Sequence, residues 1–188
     1  MKSVFITGSS GVGKTTTFYR LLGYGFQPSP ITISRQIRDG EREGVDAFYL
    51  NEKKFKENFM KNFFLESSLD QTFYAGVYYG CPRLWLGQLA SADNPIIAIV
   101  PNVKILEDIC NQLKIKNIRS NLIWCNLHAD VDVRRTRLKK RNYDQAVLNQ
   151  RLHSGVSHGV QTEADINIDT GKLNEQEVIE EIDRKSVV

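Results

Sequence analysis

The chain alternates short apolar runs with stretches of helical period. "KSVFIT" at 2–7, "NPIIAIV" at 94–100 and "SNLIWCNL" at 120–127 are nearly continuous apolar segments, the pattern of strands buried on both faces. "VKILEDICNQLK" at 103–114 sets Ile105, Ile109 and Leu113 at i, i+4 and i+8, which predicts a helix with one buried face. Residues 14–22 read as another helix, "ADINID" at 164–169 as a last strand, and "NEQEVIEEIDR" at 174–184 as a closing helix with Asn174 as its N-cap. Strands alternating with helices predict an α/β fold with three layers and a central, mostly parallel sheet.

Two segments interrupt this alternation. Residues 30–83 are rich in Phe, Tyr and short polar turns, with sustained helical period only near 52–61; they read as an inserted, mostly β lobe. Residues 130–155 are highly charged and helical, and read as a lid. The core then comprises 1–29, 84–129 and 156–188, all within one domain over 1–188.

Composition narrows the function classes without changing that layout. With 188 residues, 41% of them apolar, the chain can bury a real core. A net charge of +3 is too small to argue for a nucleic-acid partner. The three cysteines, Cys81, Cys110 and Cys125, have no metal-ligand spacing and read as reduced thiols of a cytoplasmic protein. No apolar run approaches the ~18 to 20 residues that span a bilayer. The brief apolar stretch at the N-terminus runs into a glycine loop, so it reads as a first strand and not as a signal peptide.

The chemistry begins at "GSSGVGKTT", residues 8–16. It fits G-x-x-x-x-G-K-[ST] through Gly8, Gly13, Lys14 and Thr15, with Ser9, Ser10, Gly11 and Val12 between and Thr16 after. Glycines let successive backbone N–H groups turn inward around an anion, and the following helix adds the positive end of its dipole. Placed between a strand and a helix, the loop predicts binding of ATP, with Lys14 on the β- and γ-phosphates and Thr15 on Mg²⁺. There is no N-K-x-D run of the kind a GTPase uses to read guanine, and the chain is short for a motor.

Downstream, "TISRQIRDGEREGVDAFYL" at 32–50 places Arg35 and Arg38 three apart. Two guanidiniums at that spacing can clamp a phosphate, although a solvated strand edge would look the same. With this run the sequence resembles the guanylate kinase family, whose pattern is T-x-R-x-P-R-x-G-E-x-x-G-x-x-Y, followed by an "FLE" triplet and a "YYG" triplet. Here "NEKKFKENF", "FFLE" at 63–66, "VYYGCPR" at 77–83, "TRLKKR" and "NQRL" follow in the same order, so the likeness covers most of the chain. It implies a P-loop nucleotide-kinase fold in which Arg35, Arg38 and Tyr79 bind the acceptor phosphate and Glu66 accepts hydrogen bonds from the acceptor base.

The acceptor region departs from the family pattern at several points. The tyrosine that ends the arginine run falls on Ala47, with Phe48 and Tyr49 beside it; strand alternation aims Phe48 at the opposite face. The Ser or Thr after YYG is Cys81, a weaker hydrogen-bonding group, and the serine before the first arginine is Ile31. About four extra residues separate Glu66 from Tyr79, and the D-x-D of the strand at 94–100 is replaced by Ala98 and Val100. Fewer polar groups then read the base, and Mg²⁺ would rest on Thr15, phosphates and water.

"RRTRLKKR" at 134–141 carries six positive charges in eight residues. It can be read as a nucleic-acid patch, a solvated helix or the lid of a nucleotide kinase. Helical spacing puts Arg134, Arg137 and Arg141 on one face. The resemblance implies transition-state contacts for Arg137 and Arg151, and an ATP-side role for Arg141. His128, His153 and His158 have no ligand-like spacing. Together these readings predict transfer of the γ-phosphoryl group of ATP to a nucleoside monophosphate, GMP or dGMP first. The catalytic groups would be Lys14, Arg38, Arg137 and Arg151. Arg35, Arg38, Glu66, Tyr79 and Cys81 would bind the acceptor. The expected partners are small-molecule nucleotides, with no nucleic acid or membrane, and the protein would be a monomer or homodimer. A kinase for a phosphorylated sugar of the ribose 1,5-bisphosphate type stands as an alternative, as does a non-catalytic guanylate-kinase-like binding module.

Overall fold

The apolar runs assemble into a parallel sheet. A computed structural model describes residues 1–66, 68–74, 76–91, 94–101, 103–141, 144–153 and 163–187. In chain order, β1 (Ser3–Thr7) leads through the glycine loop into α1 (Lys14–Leu22) and β2 (Gln27–Pro28). Next come β3 (Ile31–Ile33), β4 (Ala47–Tyr49), α2 (Glu52–Met60), α3 (Leu69–Thr72), β5 (Phe73–Tyr74) and β6 (Val77–Gly80). The chain continues through α4 (Leu84–Ala90), β7 (Ile96–Ile99), α5 (Val103–Ile115), β8 (Leu122–His128) and α6 (Val131–Lys139). It ends with α7 (Gln145–His153), β9 (Ile166–Asp169) and α8 (Glu175–Ser186). His158, residues 154–155 of the predicted lid and residues 156–162 of the predicted core lie outside the described residues.

The central sheet has five strands in the order β2-β7-β1-β8-β9, all parallel. Its two faces pack different helices, which makes the fold three layers. Phe5, Ala98 and Trp124 share one face by register and meet Trp85 and Leu89 of α4 with Ile105, Ile109 and Leu113 of α5. Val4, Ile6, Ile97 and Cys125 face the other way, onto Phe18 and Leu21 of α1 and Val178, Ile179 and Ile182 of α8. Both faces are covered, so every residue of β1 is buried, as an all-parallel sheet requires. The α/β reading of the sequence therefore holds. The start of α8 also follows it: the Asn174 side chain accepts from the Glu177 N–H while Glu177 accepts from the Asn174 N–H, a capping box. The pattern gave no sign of α4, which has Gly87 in its middle.

Residues 30–83 carry a second sheet, ordered β4-β3-β6-β5. Strand alternation sorts its side chains cleanly. Ile31, Ile33, Ala47, Tyr49 and Tyr79 point to the side of the glycine loop, in cross-strand rows set by Ile31↔Ala47, Ile33↔Tyr49 and Ile33↔Tyr79. Phe48 is 41% exposed on the reverse side. There Tyr78 stacks on Phe55 of α2 at 5.5 Å, and Phe64 covers Gly80. A Cβ at residue 80 would lie 2.6 Å from the Phe64 ring, so only glycine fits beneath that ring.

Candidate active site

The loop between β1 and α1 takes a shape that glycine makes possible. Gly8, Gly11 and Gly13 have φ of 136°, 86° and 95°, a region that side chains strain to enter. At Gly8 a Cβ would also meet the Leu127 carbonyl oxygen at 2.2 Å. Beneath the loop, a row of polar side chains crosses the ends of three strands. Trp124 Nε1 donates to Thr7 Oγ1 (2.8 Å), Thr7 Oγ1 donates to Asn126 Oδ1 (3.3 Å), and Asn126 Nδ2 donates to Asn167 Oδ1 (2.8 Å). This row fixes the strand ends from which the loop departs.

Cations converge on the loop. Lys14 Nζ donates to the carbonyls of Gly8 (2.6 Å) and Ser9 (2.9 Å). Burial, and then the charges of Arg141, Arg134 and Arg151, lower its pKa to about 8. A place where three arginines lower the pKa of a buried lysine is one that an anion would stabilise. Arg134 differs from the rest of its charged run: it is 2% exposed. Its Nε donates to the Ser10 carbonyl (2.9 Å) and its Nη2 to the Leu152 carbonyl (3.2 Å). It therefore ties the glycine loop to α7, and burial lowers its pKa.

Two cavities flank the loop. One, of about 270 Å³, lies beside Gly11–Gly13, Thr16 and Thr17 and is walled by Arg20, Arg137, Lys140 and Arg141. Arg137 is held there by Thr170, through Nη1 to Oγ1 (3.0 Å) and Nη2 to the carbonyl (2.6 Å). The other, of about 380 Å³, joins the loop to the lobe. Gly8, Ser9, Ser10, Lys14, Thr15 and Arg151 line one side, and Ile31, Ile33, Arg35, Glu41, Tyr49, Glu66, Asp70 and Tyr79 line the lobe side. The structure thus brings Lys14, Thr15, Arg151, Arg35, Glu66 and Tyr79 together. It places Arg137 and Arg141 at the first cavity. Arg38 stands exposed on the turn and lines neither, with its backbone N–H donating to Glu41 Oε2 (2.9 Å).

Within the lobe, Arg35 and Glu41 form a bidentate pair with both N–O distances at 2.7 Å. Burial alone would raise the Glu41 carboxyl, but hydrogen bonds from Arg35 and the Arg38 N–H hold it at about 2. The Arg35 guanidinium lies 5.3 Å from the centre of the Tyr49 ring, and Arg35 Nε is buried with no hydrogen-bond partner among the described residues. Tyr49, Glu41 and Asp70 were missed by the sequence reading. For Tyr49 the signal was present: Ala47 and Tyr49 are two apart on one strand and must share a face. Glu66 is 4% exposed, and both its oxygens accept from the Cys81 N–H (2.9 and 3.1 Å). Burial raises its pKa against those bonds. Cys81 is fully buried beneath Glu66 and does not line the cavity; it holds the carboxylate in place.

For Mg²⁺ the chain offers little by itself. Among the described residues no group of three or more His, Cys, Asp or Glu could hold a metal. Ala98 and Val100 are buried in the core, and β7 meets the cavity with Ile99 instead. The Thr15 hydroxyl, in the first turn of α1 on the cavity wall, is a hard oxygen donor and fits an ion that takes most of its ligands from phosphates and water.

The fold is guanylate-kinase-like. A crystal structure of guanylate kinase from Anaplasma phagocytophilum superposes with a TM-score of 0.63 at 16% identity, covering 97% of this chain and 82% of that one. In sequence the chain is similar to guanylate kinases as well. It is 41% identical over 83 residues to that of Prochlorococcus marinus, 43% of each chain. It is 28% identical over 159 residues to that of Chlorobium chlorochromatii, 80% of this chain and 76% of that one, and 28% over 162 residues to that of Neisseria gonorrhoeae, 83% and 72%. Where identity is highest, the chain spans less than half of the relative's length. No protein-family model matches. The likeness carried by the motifs therefore holds in sequence and in fold. Among the described residues no helix is long and apolar enough to cross a membrane.

Proposed function

We propose that this protein transfers the γ-phosphoryl group of ATP to the phosphate of a nucleoside monophosphate, with GMP or dGMP as the acceptor. The observation that carries this reading is the cavity that places Lys14, Thr15 and Arg151 opposite Arg35, Tyr49, Tyr79 and Glu66. The adenosine end of ATP would occupy the neighbouring cavity, against Arg137 and Arg141, with its polyphosphate running along the glycine loop.

An oxygen of the acceptor phosphate attacks the γ-phosphorus, the bond to the β–γ bridging oxygen breaks, and ADP leaves; no protein nucleophile is needed. The work of the chain is positioning and charge stabilisation. Lys14 would hold the β- and γ-phosphates. Arg151 would reach the transferring group from α7, and Arg35, whose buried Nε has no partner among the described residues, would hold the acceptor phosphate between Tyr49 and Tyr79. Arg38 would add to that clamp by turning inward from its exposed position. Mg²⁺, held by Thr15 and the phosphates, would supply neutralisation of the developing charge.

The lobe end of the cavity carries the carboxylates of Glu66 and Asp70. A second phosphate of a sugar bisphosphate would be repelled there, which favours a base at that end. Measurement of ADP release with ATP and a panel of monophosphates tests the reading. Stimulation by GMP or dGMP is expected, and no stimulation by any monophosphate would sink it.

A further inference from the structure

The lobe end of the acceptor cavity has a wall that the family pattern does not anticipate. The extra residues between Glu66 and Tyr79 are taken up by the short helical turn α3, anchored by Thr72. That residue is 2% exposed, and its hydroxyl donates to the Leu69 carbonyl at 2.6 Å. The turn brings Asp70 to the cavity that Glu66 also lines. Asp70 is exposed and makes no ion pair among the described residues. Its carboxylate oxygens are hydrogen-bond acceptors.

Ile31 and Ile33 are apolar, and Cys81 is spent on Glu66. Beside the Gln71 amide, this end of the cavity is lined by two carboxylates, Glu66 and Asp70, both acceptors. Two acceptors lining one end of a cavity suit an edge with two adjacent donors. Guanine has such an edge, a ring N–H beside an exocyclic amine. Hypoxanthine has the ring N–H alone, and adenine and cytosine set a ring acceptor beside their amine, which a carboxylate repels. We propose that Asp70 is a specificity residue that accepts a hydrogen bond from the exocyclic amine of the guanine acceptor, while Glu66 accepts from the ring N–H. This rests on the monophosphate-kinase reading above.

The test compares GMP with IMP, which lacks only the amine, in the wild-type protein, Asp70→Ala and Asp70→Asn. Steady-state phosphoryl transfer at saturating ATP is measured alongside direct titration of each monophosphate. Wild type is expected to prefer GMP. Both variants should lose about 10- to 100-fold in kcat/KM for GMP, the cost of a hydrogen bond to a charged group. Most of that loss should lie in KM, and the loss with IMP should be far smaller, so that the two acceptors converge. Because the side chain is exposed, the variants should keep the wild-type melting temperature. Equal losses on both acceptors, no loss on GMP, or a wild type indifferent to the amine would overturn the assignment while leaving the kinase reading standing. A wild type that transfers to no monophosphate would remove that reading, and this one with it.

Discussion

The donor side and the acceptor lobe meet in one cavity but are built in opposite ways. The donor side is one contiguous loop of backbone, shaped by Gly8, Gly11 and Gly13, resting on a polar row across β1, β8 and β9. In the proposed function phosphate would be held by main-chain N–H groups and by Lys14, so the geometry is set once the loop is set. The lobe instead gathers side chains from four strands and a turn that are far apart in sequence. Changes there can compensate one another: Ala47 lacks a hydroxyl, and Tyr49 presents one on the same face, one row nearer Arg35. A backbone site tolerates little variation, whereas a side-chain site can be rebuilt piece by piece.

The sharpest way to break this contrast is at Lys14. Lys14→Ala removes the one side chain whose pKa records the convergence of Arg134, Arg141 and Arg151. Turnover is expected to fall on the order of 1000-fold, as when a charge-stabilising group is lost from phosphoryl transfer. The fall should be the same for every acceptor, because the donor end does not touch the base. Losses that differ widely between acceptors would contradict the division of labour.

A smaller effect is expected in the lobe. Tyr49→Phe keeps the ring beside the Arg35 guanidinium and deletes only the hydroxyl. If Tyr49 holds the acceptor phosphate, KM for the acceptor should rise about tenfold, with KM for ATP unchanged. The double variant Ala47→Tyr/Tyr49→Phe asks whether a hydroxyl one row away restores it. An acceptor KM equal to wild type in Tyr49→Phe would assign that phosphate to Arg35 and Tyr79 without Tyr49.

The same contrast explains how much could be read from the chain. The three-layer fold was legible because strands covered on both faces, such as β1 and β8, must be apolar along most of their length. The glycine loop was legible because its chemistry is local. Strand order was not, since nothing in "NPIIAIV" says that it lies between β2 and β1. Glu41 lies six residues after Arg35, on the turn that follows β3, and only the fold of that turn makes them a pair. Arg134 was hidden by its neighbours: in a run of six charges nothing distinguishes the buried arginine that binds main-chain carbonyls from the solvated ones. Asp70 depends on how an insertion folds, which periodicity does not reach.

The smallest expected effect is a titration at the donor end. In the free protein, burial and the adjoining arginines lower the Lys14 pKa to about 8. A bound polyphosphate needs the charged ammonium and, by neutralising those arginines, restores its pKa. Above pH 8 binding must therefore be coupled to proton uptake, and affinity falls as pH rises. From pH 7.5 to 8.5 the protonated fraction of a group with a pKa of about 8 drops about threefold, and the affinity for ATP should drop by the same factor. Stability responds with the opposite sign. The unfolded chain, with Lys14 near its ordinary value of 10.5, binds more protons than the folded one in this window, so this group's contribution makes the fold more stable as pH rises from about 8. Calorimetric titration of ATP in two buffers of different ionisation enthalpy reads the proton directly. Uptake approaching one proton at pH 8.5 is expected in the wild type and is absent from Lys14→Arg, whose guanidinium stays charged throughout. A flat affinity with no uptake would mean that Lys14 is already fully charged in the free protein, and that its carbonyl contacts with Gly8 and Ser9 outweigh the arginines around it.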